Sequence, residues 1–126
     1  MKKIEIKVKD KTITAIIFES STSKRICDIL PFEGKVNTWG DEIYFEIPVH
    51  LDLDETAKEL VELGDIGYWP SGNAFCIFFG RTPISLKDEI RAASAVNIIG
   101  KIIGDPLIFR GISDGEKIQL IEVKEK

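Results

Sequence analysis

The chain has 126 residues, 44% of them hydrophobic and 30% charged, with a net charge of −4 and a sequence pI near 5.1. That length suits one domain with its own core, 1–126, and is too short for two ordinary ones. The basic residues are scattered rather than gathered into the positive face that phosphate binding needs, so nucleic acid is not an expected partner.

From the N-terminus, Ile4, Ile6 and Val8 alternate with Glu5, Lys7 and Lys9, the pattern of a strand with one wet and one dry face. The same alternation denies the segment the continuous apolar stretch of a signal peptide. No apolar run anywhere approaches the roughly 20 residues that span a bilayer, so the expected setting is cytoplasmic, with no membrane partner. Lys9-Asp10-Lys11 reads as a turn and 12–18 as the partner strand of a hairpin. The polar run Glu19 to Ser23 offers N-caps for a helix over 22–30, with Ile26, Ile29 and Leu30 on one face and Pro31 ending it.

Short strands follow at 35–39 and at 42–47, before Pro48. Residues 52–60 are acidic and suit a helical turn or a loop, with Asp54 as a candidate N-cap. Asp52, Asp54 and Glu55 also suggest a calcium loop, but the glycine and the distal glutamate of the EF-hand pattern are missing. Gly64 to Tyr68 is a predicted strand, Pro70-Ser71-Gly72-Asn73 a turn, and Ala74 to Phe79 an apolar run of the kind buried on both faces. Residues 85–92 read as a helical turn or a loop. Val96 to Ile103 is another strand, Asp105 to Gly111 a short helix or turn, and Glu116 to Val123 a last strand. About eight short strands with one or two short helices imply a mainly β fold, a closed or nearly closed barrel.

Cys27 and Cys76 lie far apart without CxxC spacing and are expected to be buried, reduced thiols. The single histidine, His50, has no second histidine or cysteine near it in sequence, so neither a metal nor a cofactor is expected. The glycines at 64, 67, 72 and 80 match neither the phosphate loop nor the dinucleotide fingerprint, and no serine lies in a nucleophile elbow.

Three segments carry a family resemblance. Val96-Asn-Ile-Ile-Gly-Lys-Ile-Ile-Gly-Asp with the last strand, Gly64 through Gly80, and Ile43-Tyr-Phe-Glu-Ile-Pro48 together resemble the cyclophilin barrel. A nearer likeness is to the small prokaryotic cyclophilin-like domains of unknown function. Its marks are Asn37 to Phe45, Gly64 to Pro70, Phe78 to Pro83 and Ala93 to Asn97. The cyclophilin likeness implies prolyl isomerisation, a reaction with a barrel-side apolar pocket and an arginine that hydrogen-bonds the twisted imide. The intrinsic barrier is about 18–20 kcal/mol. By the same likeness, Phe45 stands where that arginine would be, Val96 where a histidine would be, and the tryptophan of the preceding loop falls near Arg91. Arg81 or Arg91 would have to swing in to supply the missing donor.

The candidate site residues are Trp39, Glu42, Tyr44, Phe45, Tyr68, Trp69 and Phe79, concentrated in segments the resemblance places side by side. Phe78, Phe79 and one of Tyr44 and Phe45 also suit a core. Tyr68 and Trp69 are the side chains expected to face a ligand, with Trp39 beside them. Glu42 and Asp65 are the nearest acids, able to recognise a cation, amine or hydroxyl, or to act as a general base if desolvated. Three functions follow: a binding module for a peptide segment or small ligand, an atypical peptidyl-prolyl isomerase, or an interaction subunit whose aromatic surface is covered by a twin or another protein.

Overall fold

A computed structural model describes residues 1–124. Strands β1 (Lys2–Val8) and β2 (Lys11–Ile17) form the expected hairpin, and Lys9 takes a positive φ of 59° at its turn. Ile4, Ile6 and Val8 face inward with Ile13, Ala15 and Ile17, as the alternation requires. Helix α1 (Ser21–Asp28) is capped by Ser20, whose hydroxyl accepts a hydrogen bond from the Ser23 N–H at 3.0 Å. Ile26 and Cys27 are its buried apolar residues.

The chain continues through β3 (Phe32–Lys35), β4 (Asn37–Thr38), β5 (Glu42–Glu46), β6 (Ala57–Val61) and β7 (Asp65–Trp69). A 3-10 turn at Pro70–Gly72, closed by Asn73 in the left-handed region, leads into β8 (Ala74–Phe78). Then come β9 (Ile90–Ile103), a 3-10 turn at Pro106–Phe109 and β10 (Lys117–Glu122). Every ladder is antiparallel, and the strands follow the order β3-β10-β1-β2-β9-β7-β8-β5-β4, with β6 paired to β9 beside that path.

The fold is mainly β, but the expected closed barrel of about eight strands is not what forms. The sheet has ten strands on an open path, and its two ends are not joined by a ladder among the described residues. The reason lies in residues 32–38. Its first part pairs with β10 and its last part with β5, so one extended stretch lies along both edges and changes partner at Val36. Side chains bridge the gap instead: Phe32 stacks on Phe45 with ring centroids 5.9 Å apart.

Two further segments differ from expectation. Within 52–60 no helix forms; Asp54 accepts from the N–H and hydroxyl of Thr56, turning the chain into β6. Pairing with β9 makes that strand, a long-range contact that local composition does not announce. β9 likewise begins at Ile90, inside the stretch read as a helical turn or loop.

Strand alternation divides the interior in two. The larger cluster holds Ile43, Phe45 and Ile47 of the β5 region with Ile66, Tyr68, Phe75, Ile77 and Phe79. A smaller cluster on the opposite face holds Val61, Ala74, Cys76, Phe78, Ile90, Ala92 and Val96, with Tyr44 and Trp69 packed against it. All five residues of β8 are buried because that strand serves both clusters.

Candidate functional site

The smaller cluster floors a cavity of about 230 Å³ lined by Trp39, Glu42, Tyr44, Trp69, Ala92, Ala93 and Val96. Each wall has a local cause. On β5, period-two alternation sends Glu42 and Tyr44 to this face and Ile43 and Phe45 to the other. Trp39 is held at the β4–β5 turn, where its N–H donates to the Glu42 carbonyl at 2.9 Å.

Trp69 ends β7 and leans over the following 3-10 turn. A Cβ on Gly72 would stand 2.6 Å from two atoms of the indole, so only glycine lets the ring lie there. The indole N–H donates to the Ser94 hydroxyl at 2.6 Å, and the ring meets Tyr44 edge-on at 6.0 Å and 81°. Gly67 plays a similar part on the floor, since a Cβ there would stand 2.7 Å from Val96.

The remaining wall is a bulge. Lys58 pairs with Val96 and Leu60 with Arg91, so two steps along β6 oppose five along β9. The unpaired residues Ala92 to Ala95 arch away from β6, and Ser94 among them receives the Trp69 indole. Small side chains at Ala92 and Ala93 leave the space open.

Among the described residues Glu42 is the one carboxylic acid lining the cavity, and it is 5% exposed. Across the ladder it faces Phe78, and its Oε1 is buried with no hydrogen-bond partner among the described residues. Burial pushes its carboxyl from the usual 4.5 up to about 7, with the Cys76 thiol pulling the other way. The Cys76 thiol is itself held well above its usual range, by burial first and then by Glu42. Among the described residues no lysine, arginine or histidine lines the cavity.

Of the seven candidates, Trp39, Glu42, Tyr44 and Trp69 come together here. Phe45, Tyr68 and Phe79 do not. Phe45 stacks on Phe75, and Phe79 packs against Phe109. Tyr68 is wholly enclosed, its hydroxyl donating to the Val49 carbonyl at 2.7 Å and accepting from the Leu51 N–H at 3.1 Å. Asp65 also turns elsewhere, accepting from the Glu62 N–H and pairing with Lys101 at 3.4 Å. Ala92, Ala93 and Val96 line the cavity without having been singled out as ligand contacts. The signal for Ala93 and Val96 in the sequence is the Ala93 to Asn97 stretch that carries the family likeness.

Neither spare arginine reaches in. Arg91 is engaged by Glu89 at 2.7 Å and Glu59 at 3.7 Å, and Arg81 donates to the Ser85 carbonyl. Of the acids considered for calcium, Asp54 is engaged elsewhere: both its oxygens accept from threonines, Thr22 on one and Thr56 on the other. Among the described residues no group of three or more His, Cys, Asp or Glu is placed to hold a metal ion. Nor is any helix there long and apolar enough to cross a membrane. A second hollow of about 310 Å³ lies between β2 and α1, but its buried polar lining residue, Ser23, already has hydrogen-bond partners.

A cyclophilin-like family model matches residues 2–121. The chain belongs to the cyclophilin-like family. The solution structure of a hypothetical protein from Archaeoglobus fulgidus is similar to this cyclophilin-like chain throughout. It is 39% identical, with a TM-score of 0.82 over 97% of this chain and 95% of that one. No curated protein matches. Phe45, where the resemblance led us to look for an isomerase arginine, lies on the core side of β5.

Proposed function

We propose that this cyclophilin-like domain is a binding module, and that the cavity between β5, β7 and the β9 bulge accepts a small ligand or the side chain of a peptide segment. The observation that carries this reading is a buried carboxyl oxygen with no partner, set among three half-buried aromatic rings. A buried polar group without a partner costs about 1–3 kcal/mol, and a ligand that supplies the missing hydrogen bond recovers part of that. Mostly apolar walls with one convergent polar group are the usual make-up of a small-molecule site.

Isomerase chemistry is the weaker reading, because no guanidinium lines the cavity to hydrogen-bond a twisting imide. Losing one preorganised donor costs about 2.7–4 kcal/mol of transition-state stabilisation in other enzymes. The binding reading is tested by ligand screening against tryptophan fluorescence, with Ala93→Phe as the blocked control. Compounds that shift the emission of the native protein and leave the Ala93→Phe variant unaffected support it. If both respond alike, the cavity is not the site. For the isomerase reading, exchange spectroscopy on an X-Pro peptide should show an unchanged exchange rate at saturating protein; acceleration would restore it.

A further inference from the structure

Resting on the binding reading above, the geometry points to a protonated amine as the ligand's head group, its N–H donating to Glu42 while its alkyl portion lies against Trp39, Tyr44 and Trp69. Four observations select this chemistry over its rivals. The unpartnered atom is a carboxyl oxygen, which once ionised only accepts, so a ligand that meets the anion must donate. Among the described residues the lining holds no cationic side chain, so an anionic head group would meet no counter-charge there and a cationic one no competitor. Aromatic faces attract cations, by about 0.5–2 kcal/mol depending on desolvation, and give an anion nothing comparable. Finally, the chain's net charge of −4 favours the approach of cations in general.

A neutral hydroxyl gains the single hydrogen bond without the charge. An ammonium gains both, because a charge-assisted bond is roughly twice as strong as a neutral one. The ligand then sets the protonation state of its own partner. Burial and the Cys76 thiol of β8 are the influences on the Glu42 carboxyl, with no charged group among them. Tyr44 of β5 contributes the other titratable side chain of the lining, and β7 and β9 contribute none to it. With the carboxyl protonated below about pH 7, an ammonium must displace that proton in order to bind. Each bound ammonium therefore releases close to one proton at pH 6 and few at pH 8.

The test compares n-butylammonium, 1-butanol and butyrate, three ligands with one tail and three head groups. Binding is followed through the indole N–H resonances of Trp39 and Trp69. The ammonium should bind about five- to tenfold more tightly than the alcohol at pH 8, by the charge-assisted difference. Its affinity should fall about tenfold per pH unit below 7, following linkage. Glu42→Gln should erase the preference for the ammonium. The pH series on the native protein needs no variant, so it stands even if Glu42→Gln folds poorly.

Equal binding of alcohol and ammonium would overturn the amine assignment while leaving the cavity a binding site. Tightest binding of butyrate would do the same. If none of the three moved either indole resonance, the amine assignment would fail; if the fluorescence screen also failed, the binding reading would fall with it.

Discussion

Glu42 carries a cost that a purely structural side chain at its position would not. Its carboxyl is raised from 4.5 to about 7, so the folded state holds its proton more tightly than the unfolded chain does. Stability from this group is therefore full below about pH 4.5 and is lost as pH rises to 7 and beyond. The loss is of the order of 3 kcal/mol. Urea titrations should show the native protein weakening between pH 5 and 8 relative to Glu42→Gln, which lacks the ionisation. Parallel curves for the two proteins would mean that the carboxyl is hydrated. Gly72 governs the neighbouring wall. Gly72→Ala places a methyl 2.6 Å from the Trp69 ring and should push the indole off Ser94. Overpacking of this kind costs about 1–3 kcal/mol. The check is the Trp69 indole N–H resonance, which should lose its hydrogen-bonded shift.

At the level of elements, the outer face depends on a polar tie between α1, the 50–56 loop and β9. Asn97, wholly buried, accepts from the Asp54 N–H at 2.8 Å and donates to the Asp52 carbonyl at 3.0 Å and to Thr22 at 3.3 Å. Thr56 extends the tie by accepting from the Ile98 N–H. Asn97→Ala leaves an N–H and a carbonyl of the loop unpaired and should cost about 2–3 kcal/mol in denaturant midpoint experiments. Burial works to raise the Asp54 carboxyl, but hydrogen bonds from Thr56 and Thr22 prevail and hold it below the usual range. Its contribution is thus present above the ordinary aspartate pKa and is lost as pH falls through the lower folded value, opposite in sign to that of Glu42.

The same elements explain what could be read in advance. The alternation Glu42-Ile-Tyr-Phe-Glu46 already separates Tyr44, on the glutamate face, from Phe45, and Asp65-Ile-Gly-Tyr-Trp69 separates Trp69 from Tyr68 in the same way. Tyr68, expected to face a ligand together with Trp69, instead points into the core, because adjacent residues on a strand face opposite sides. Strand β6 and the β9 bulge were not legible. Both arise from pairing partners more than 25 residues apart in the chain, which no local pattern records.

Across the whole molecule, the sequence likeness carried the family and most of the strand order of reading, whereas closure was decided by residues 32–38 changing partner at Val36. The cavity is a product of that larger arrangement. Its residues come from the β4–β5 turn, β5, β7 and β9, and they meet only because β8 sits between β5 and β7. A desolvated carboxyl assembled from such distant pieces is sensitive to whatever fills the space in front of it. The most direct test follows the Glu42 side-chain carboxyl by carbon NMR across a pH titration, with and without n-butylammonium. The expected midpoint is near 7 for the protein alone, moving down by at least a unit when the amine is bound. A midpoint near 4.5, or one that ignores the amine, would contradict the account.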